Sequence, residues 1–271
     1  MMRASVCSRR IRQQELFAPM TYCVAIKVRQ GIVFCSDSRT NAGVDQISTY
    51  SKMHRFSSTG DRQLVVLTAG NLATTQAVIT QLRNDIKSSA AVNLMTVPSI
   101  DEAAEYLGQV SLQKQSKYEQ SSMHEANFII GGQIKGNPLY LMMVYAQGNH
   151  IATSKDTPYL QIGESKYGKP ILDRIIEPGL PLDTAALCAL VSMDSTIRSN
   201  LTVGPPVELA IYQTDSLKLD RHYRLEQDSD YLRDLKNSWD RRLKEAFSSL
   251  PPIQWAALSE TDHESSGHDN P

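Results

Sequence analysis

Three residues near the start of the chain have types and spacing that suggest chemistry. Thr21 stands directly before a run of alternating residues, "TYCVAIKV" (21–28). Sixteen positions later comes Asp37, in "SDSR" (36–39), and Lys52 follows. A threonine at the head of one hairpin strand lies close to the far end of its partner strand, so Asp37 approaches Thr21 in space. A third strand beginning near Lys52 would bring an ammonium to the same spot. A carboxylate holds such a lysine in place. The lysine's charge in turn lowers the pKa of a neighbouring hydroxyl and of a nearby amine. If Thr21 were the first residue of the mature chain, it would carry a hydroxyl and an α-amine together, a nucleophile and its base. The competing structural reading makes Asp37 and Arg39 an edge-strand ion pair, with Lys52 snorkelling at a strand end.

The stretch "LTAG" (67–70) adds a second piece. A strand that ends in glycine before a helix exposes backbone N–H groups. These can stabilise an oxyanion, and the glycine lets a substrate backbone come close. Taken alone, the same stretch also reads as an ordinary strand-to-helix turn.

The elements that must position these residues are legible in the periodicity. "TYCVAIKV" and "GIVFCSDS" form one hairpin, and "SKMHRFS" with "QLVVLTAG" a second across "STGDR". From Asn71 the spacing turns helical through "NLATTQAVITQLRNDIK". Ser99 and Glu102 then open a second helix with a capping-box spacing. "EANFIIGGQI" and "PLYLMMVYA" are strands joined by "KGN", and "YLQIG" is a further strand. "SKYGKPILDRIIE" is expected to be helical around Pro170, and another helix starts near Pro181. "PVELAIYQTD" returns to strand. "DYLRDLKNSWDRRLKEAFSSL" is a long amphipathic helix that stops at Pro251. Strands, two helices, strands, two helices, strand and helix suit an α+β fold in one domain. Two antiparallel sheets pack face to face between helical layers in such an αββα sandwich.

Composition narrows the function classes. The chain has 271 residues with 28 basic and 29 acidic side chains, a balance that does not point to nucleic acid. No run reaches the roughly 18 apolar residues of a membrane span. Four scattered cysteines and six histidines, without CxxC or HExxH, support neither a disulfide framework nor a metal site, and a reducing, cytoplasmic location fits. No GxxxxGK[ST] occurs, so ATP-driven unfolding would need a separate ATPase. Residues 1–20 carry four Arg and one acidic residue without an apolar stretch, and read as a propeptide or an over-extended start. Residues 21–250 are the expected domain, and 251–271 a polar, disordered tail.

Thr21, "SDSR", Lys52, "TAG" and the Ala/Gln-containing helix that follows resemble the proteasome β-subunit family of N-terminal nucleophile hydrolases. The stretch "MTYCVA…SDSRTNAGVDQIST…KM" is most similar to the family's bacterial Anbu branch. The resemblance runs over about residues 20 to 245. It implies a threonine peptidase in which Thr21 is the nucleophile, Asp37 and Lys52 tune it, and the Gly70 N–H is the oxyanion donor. It also implies a peptide or protein substrate, no cofactor, and a homo-oligomer, either a ring or an open helical assembly. "GES" (163–165) lies where the family carries Gly-Ser-Gly, which makes Ser165 the candidate partner of the α-amine. Asp194 takes the place of the family's second acidic residue. The serine expected three positions on is Ile197, leaving Ser195 or Ser199 as substitutes, against helix capping by Asp194 and Ser195. The chain also departs from the family before the nucleophile: Met20 stands where a glycine is usual, a pattern suited to removal of an initiator methionine. The alternatives to a peptidase are a non-catalytic assembly subunit and an amidase acting on small amides.

Overall fold

A computed structural model describes residues 21–41, 47–116 and 124–253. The expected propeptide and most of the polar tail lie outside these residues. Twelve strands and five helices are formed among them.

The first sheet is built on the hairpin β1 (Tyr22–Val28) and β2 (Gly31–Asp37). It is completed by β10 (Tyr159–Gly163), β11 (Val207–Gln213) and β12 (Arg221–Leu225), in the order β10-β1-β2-β11-β12. The second sheet runs in sequence order: β5 (Met53–Ser58), β6 (Arg62–Gly70), β7 (Ala126–Ile134), β8 (Tyr140–Val144) and β9 (His150–Ala152). Every pairing in both sheets is antiparallel. A short ribbon, β3 (Arg39–Asn41) with β4 (Ile47–Thr49), stands outside them.

Alternation along β1 explains the layering. Cys23 and Ala25 face the second sheet with Phe34, Leu67 and Ile129. Tyr22, Val24 and Ile26 face the helices α3 (Lys169–Ile175) and α4 (Leu182–Ser199) with Ala185, Ala189 and Met193. The far side of the second sheet packs Val66, Phe128 and Ile130 on α1 (Leu72–Lys87) and α2 (Ile100–Gln115) through Val78, Leu82 and Leu107. Strands buried on both faces read as nearly continuous apolar runs, which is why β1, β2 and β6 are so evident in the sequence. The result is the expected four-layer αββα sandwich with three apolar seams.

Helix ends follow the capping rules. The Asn71 side chain accepts from Thr74 N at 3.0 Å, and Ser99 Oγ accepts from Glu102 N at 3.1 Å. One helix is shorter than expected. α3 starts at Lys169 with proline in its first turn, because Pro170 fits a helix start and not an interior. β3, β4, β9 and β12 were not expected as strands. β12 is an edge strand that carries Arg221, His222 and Arg224 and lacks an apolar alternation.

The last helix, α5 (Asp230–Ser248), buries no residue fully. Leu232 and Leu235 pack against the α4 seam. The same stripe continues through Leu243, Phe247 and Leu250, which are exposed by 53%, 75% and 61%. No described helix is long and apolar enough to cross a membrane.

Candidate active site

The β1–β2 register sets Cys23 opposite Ser36, which brings Asp37 alongside the start of β1. Asp37 is wholly buried. Its Oδ1 accepts from the Tyr22 backbone N at 3.1 Å and from Lys52 Nζ at 2.7 Å. Its Oδ2 accepts from Gly204 N at 3.3 Å. Burial pushes the Asp37 carboxyl above its ordinary range, while the Lys52 charge and hydrogen bond pull it back down. Lys52 Nζ also donates to the Arg39 carbonyl at 2.7 Å. The Lys52 carbonyl accepts from Thr68 N at 2.9 Å, which ties the lysine to the end of β6.

Thr21 is itself buried. Its carbonyl accepts from Glu164 N at 2.7 Å, just beyond the end of β10. Gly163 turns the chain there with φ +83°. A Cβ at that position would stand 2.1 Å from the Thr21 carbonyl oxygen, so only glycine permits the approach.

Cys23 shares the strand face of Thr21. Its Sγ donates to the Thr68 carbonyl at 3.6 Å, and burial raises its thiol well above the usual value. Gly70, two residues past Thr68, closes β6 with φ +112° and is followed by the Asn71 cap of α1. The structure therefore gathers Thr21, Asp37 and Lys52, and places Gly70 at the end of the strand to which Lys52 and Cys23 are bonded.

The remaining sequence candidates sit differently. Ser165 lies in the turn before α3, and its carbonyl accepts from Gln161 Nε2 and Lys169 N. The residue placed against Thr21 is its neighbour, Glu164. Asp194 is half-buried on α4, where its charged neighbours are Lys236 and Asp240 of α5 and Arg198. Ser199 is exposed in the last turn of α4 and Ser195 is half-exposed one turn earlier. Neither Asp194 nor these serines is among the groups bonded around Asp37 and Lys52.

Sequence reasoning missed three residues here. Gly204 binds Asp37 through its N–H, and its carbonyl accepts from Ser38 N and Arg39 N. Asn200, the cap that ends α4, donates from Nδ2 to Glu164 Oε2 at 3.3 Å. Glu164 follows Gly163, the last residue of β10, which pairs with Tyr22, so it lies opposite Thr21 only because of the turn at Gly163.

Comparisons with known proteins bear on the family and the fold. The proteasome subunit family matches residues 21–212. The proteasome subunit beta of Haloferax volcanii is 22% identical over 219 residues, covering 76% of this chain and 79% of the relative. Among solved structures, Anbu (ancestral beta-subunit) from Yersinia bercovieri is 47% identical with a TM-score of 0.84, over 86% of this chain and 99% of that one. The helical assembly of the Anbu complex from Pseudomonas aeruginosa provides a second, 44% identical with a TM-score of 0.83, over 87% and 99%. The chain belongs to the proteasome subunit family, and its strong structural likeness is to the Anbu proteins.

Proposed function

We propose that this chain is a threonine peptidase of the N-terminal nucleophile type, active once Thr21 is its first residue. The observation that carries the reading is the wholly buried Asp37, which bonds both the Tyr22 backbone N–H next to Thr21 and Lys52 Nζ. An edge-strand ion pair would lie in water. Burial of both charges costs several kcal/mol per ion before their attraction is counted, and a cation held beside a hydroxyl gives that arrangement a use.

The reaction runs as an acyl transfer. Thr21 Oγ1 forms a bond to the carbonyl carbon of the scissile amide as its proton passes to the α-amine. The carbonyl electron pair moves onto oxygen, and the Gly70 N–H donates a hydrogen bond to that oxyanion. Lys52 lowers the cost of removing the hydroxyl proton. Collapse breaks the C–N bond, and the leaving amine takes the proton from the α-ammonium. Water then attacks the ester carbonyl as the α-amine takes its proton. The C–Oγ1 bond breaks, the acid product leaves, and the proton passes from nitrogen to restore the Thr21 hydroxyl. None of these steps calls for a cofactor.

Self-association belongs to the same reading. The Pseudomonas relative is described as a helical assembly, and the uncovered stripe Leu243, Phe247 and Leu250 supplies an apolar face for another copy. The substrate is a peptide or unfolded protein, and any unfolding ATPase is a separate protein.

A peptide-based electrophile that captures threonine tests the reading. The chain beginning at Thr21 should be labelled once per subunit, and Thr21→Ala should not be labelled while keeping its fold and assembly. Labelling or peptide hydrolysis that survives Thr21→Ala contradicts the proposal.

A further inference from the structure

Glu164 is 5% exposed, and the partners of its carboxylate among the described residues are neutral. Oε1 accepts from the Lys166 backbone N and Oε2 from Asn200 Nδ2, each at 3.3 Å. The Asn200 amide is itself fixed. Its Oδ1 accepts from Thr202 N at 2.9 Å and from Thr202 Oγ1 at 2.6 Å, which turns the NH2 group toward Glu164. The backbone of Glu164 is locked to Thr21 by the 2.7 Å hydrogen bond to the Thr21 carbonyl. A buried carboxylate with only neutral donors is costly, and a cation beside it would relieve that cost. A terminal amine on Thr21, which exists only when Thr21 begins the chain, would supply a cation on the residue hydrogen-bonded to the Glu164 backbone.

We propose that Glu164 is the positioning residue for the Thr21 α-amine, with Asn200 holding its carboxylate in place. This rests on the reading of Thr21 as an N-terminal nucleophile. The carboxylate orients the amine toward the hydroxyl and stabilises the ammonium formed when the hydroxyl proton moves to nitrogen. The proton stays on nitrogen until the leaving group takes it. Glu164 thereby plays toward an amine the part that the carboxylate of a Ser-His-Asp triad plays toward an imidazole. The charged groups around Thr21 are Asp37, bonded to the Tyr22 N–H, and Lys52, bonded to Asp37; the Arg39 side chain on β3 donates to the Leu201 carbonyl, and Glu208 on β11 accepts from Ser38 Oγ. Arg198 and Asp194 lie farther up α4, toward α5.

The experiment uses the chain beginning at Thr21 with Glu164→Gln, Glu164→Asp and Asn200→Ala. Capture of Thr21 by a peptide β-lactone and hydrolysis of a peptide are each followed against pH. An adjacent carboxylate favours the ammonium, so the amine of the parent chain loses its proton at higher pH than that of Glu164→Gln. The acidic limb of kcat/KM should therefore move down by about one pH unit in Glu164→Gln. The plateau kcat should fall roughly tenfold to a hundredfold with KM little changed. Glu164→Asp should return the limb toward the parent position. If Glu164→Gln fails to fold, Asn200→Ala decides the matter, with plateau kcat expected to fall several-fold at constant KM. A parent chain that the lactone does not label removes the underlying reading. A labelled parent whose folded variants share its plateau and acidic limb overturns the role of Glu164 alone.

Discussion

Asp37 and Lys52 lie 15 residues apart in sequence and meet at 2.7 Å inside the protein, where neither side chain exposes more than 8% of its surface. The aspartate reaches this point at the end of β2 and the lysine just before β5, so the pair joins the two sheets at the corner where Thr21 precedes β1. Removing one partner leaves the other charged and buried. Lys52→Met should lower stability by about 3–5 kcal/mol in chemical denaturation and abolish capture of Thr21. Asp37→Asn keeps the shape and should reduce the capture rate roughly a hundredfold. A Lys52→Met chain that captures the electrophile at the parent rate would contradict the assignment.

Gly70 should tolerate no side chain. Its φ is +112°, and an added Cβ would stand 2.3 Å from the Glu125 carbonyl oxygen and 2.9 Å from Ala126 Cα. Gly70→Ala must displace the strand end that carries the proposed oxyanion donor. Its kcat should fall by about two orders of magnitude with a smaller change in KM, as steady-state hydrolysis of a peptide would measure.

The thiol two residues from the proposed nucleophile should be a bystander. Cys23 is buried, bonded to the Thr68 carbonyl and held protonated by its surroundings. Iodoacetamide should leave peptide hydrolysis intact at neutral pH, and Cys23→Ala should retain most of the activity. Inactivation by the reagent that tracks alkylation of Cys23 would make the thiol part of the chemistry.

Acid should weaken the second sheet through His54. Burial, with Arg83 nearby, lowers this imidazole to about 4 from its usual 6.5. The folded state therefore holds it neutral, and its contribution is complete above pH 6.5 and lost as pH falls toward 4. The loss is on the order of 2–3 kcal/mol. Denaturant melts between pH 7 and 4 should be less pH-dependent in His54→Gln than in the parent chain.

The apolar stripe of α5 predicts an assembly defect. Phe247→Asp should lower the mass measured by light scattering while leaving the circular dichroism of the subunit unchanged. Assembly of unaltered size would place the contact elsewhere.

The sequence made the sandwich and one half of the site legible for a common physical reason. Strands buried on both faces leave continuous apolar runs, and a hairpin fixes which residues meet across it. The approach of Asp37 to the start of β1 was therefore legible from pairing, while Lys52 needed a third strand and the family resemblance. Glu164 was hidden because its placement depends on the positive φ of Gly163, which turns the chain after β10 has ended. Asp194 was named by the family resemblance, and its charged neighbours Lys236 and Asp240 come from a helix some forty residues ahead, which no local pattern signals. Asn200 and Gly204 act from a cap and a loop, where neither periodicity nor composition signals a contact.

The central claim is that Thr21 works with a free α-amine. The most direct measurement is the intact mass of the untagged protein after exposure to a threonine-capturing peptide electrophile. The account predicts a chain beginning at Thr21 and carrying one inhibitor. A protein that retains Met20 and still turns over peptide, or one that begins at Thr21 and stays unlabelled, would contradict it.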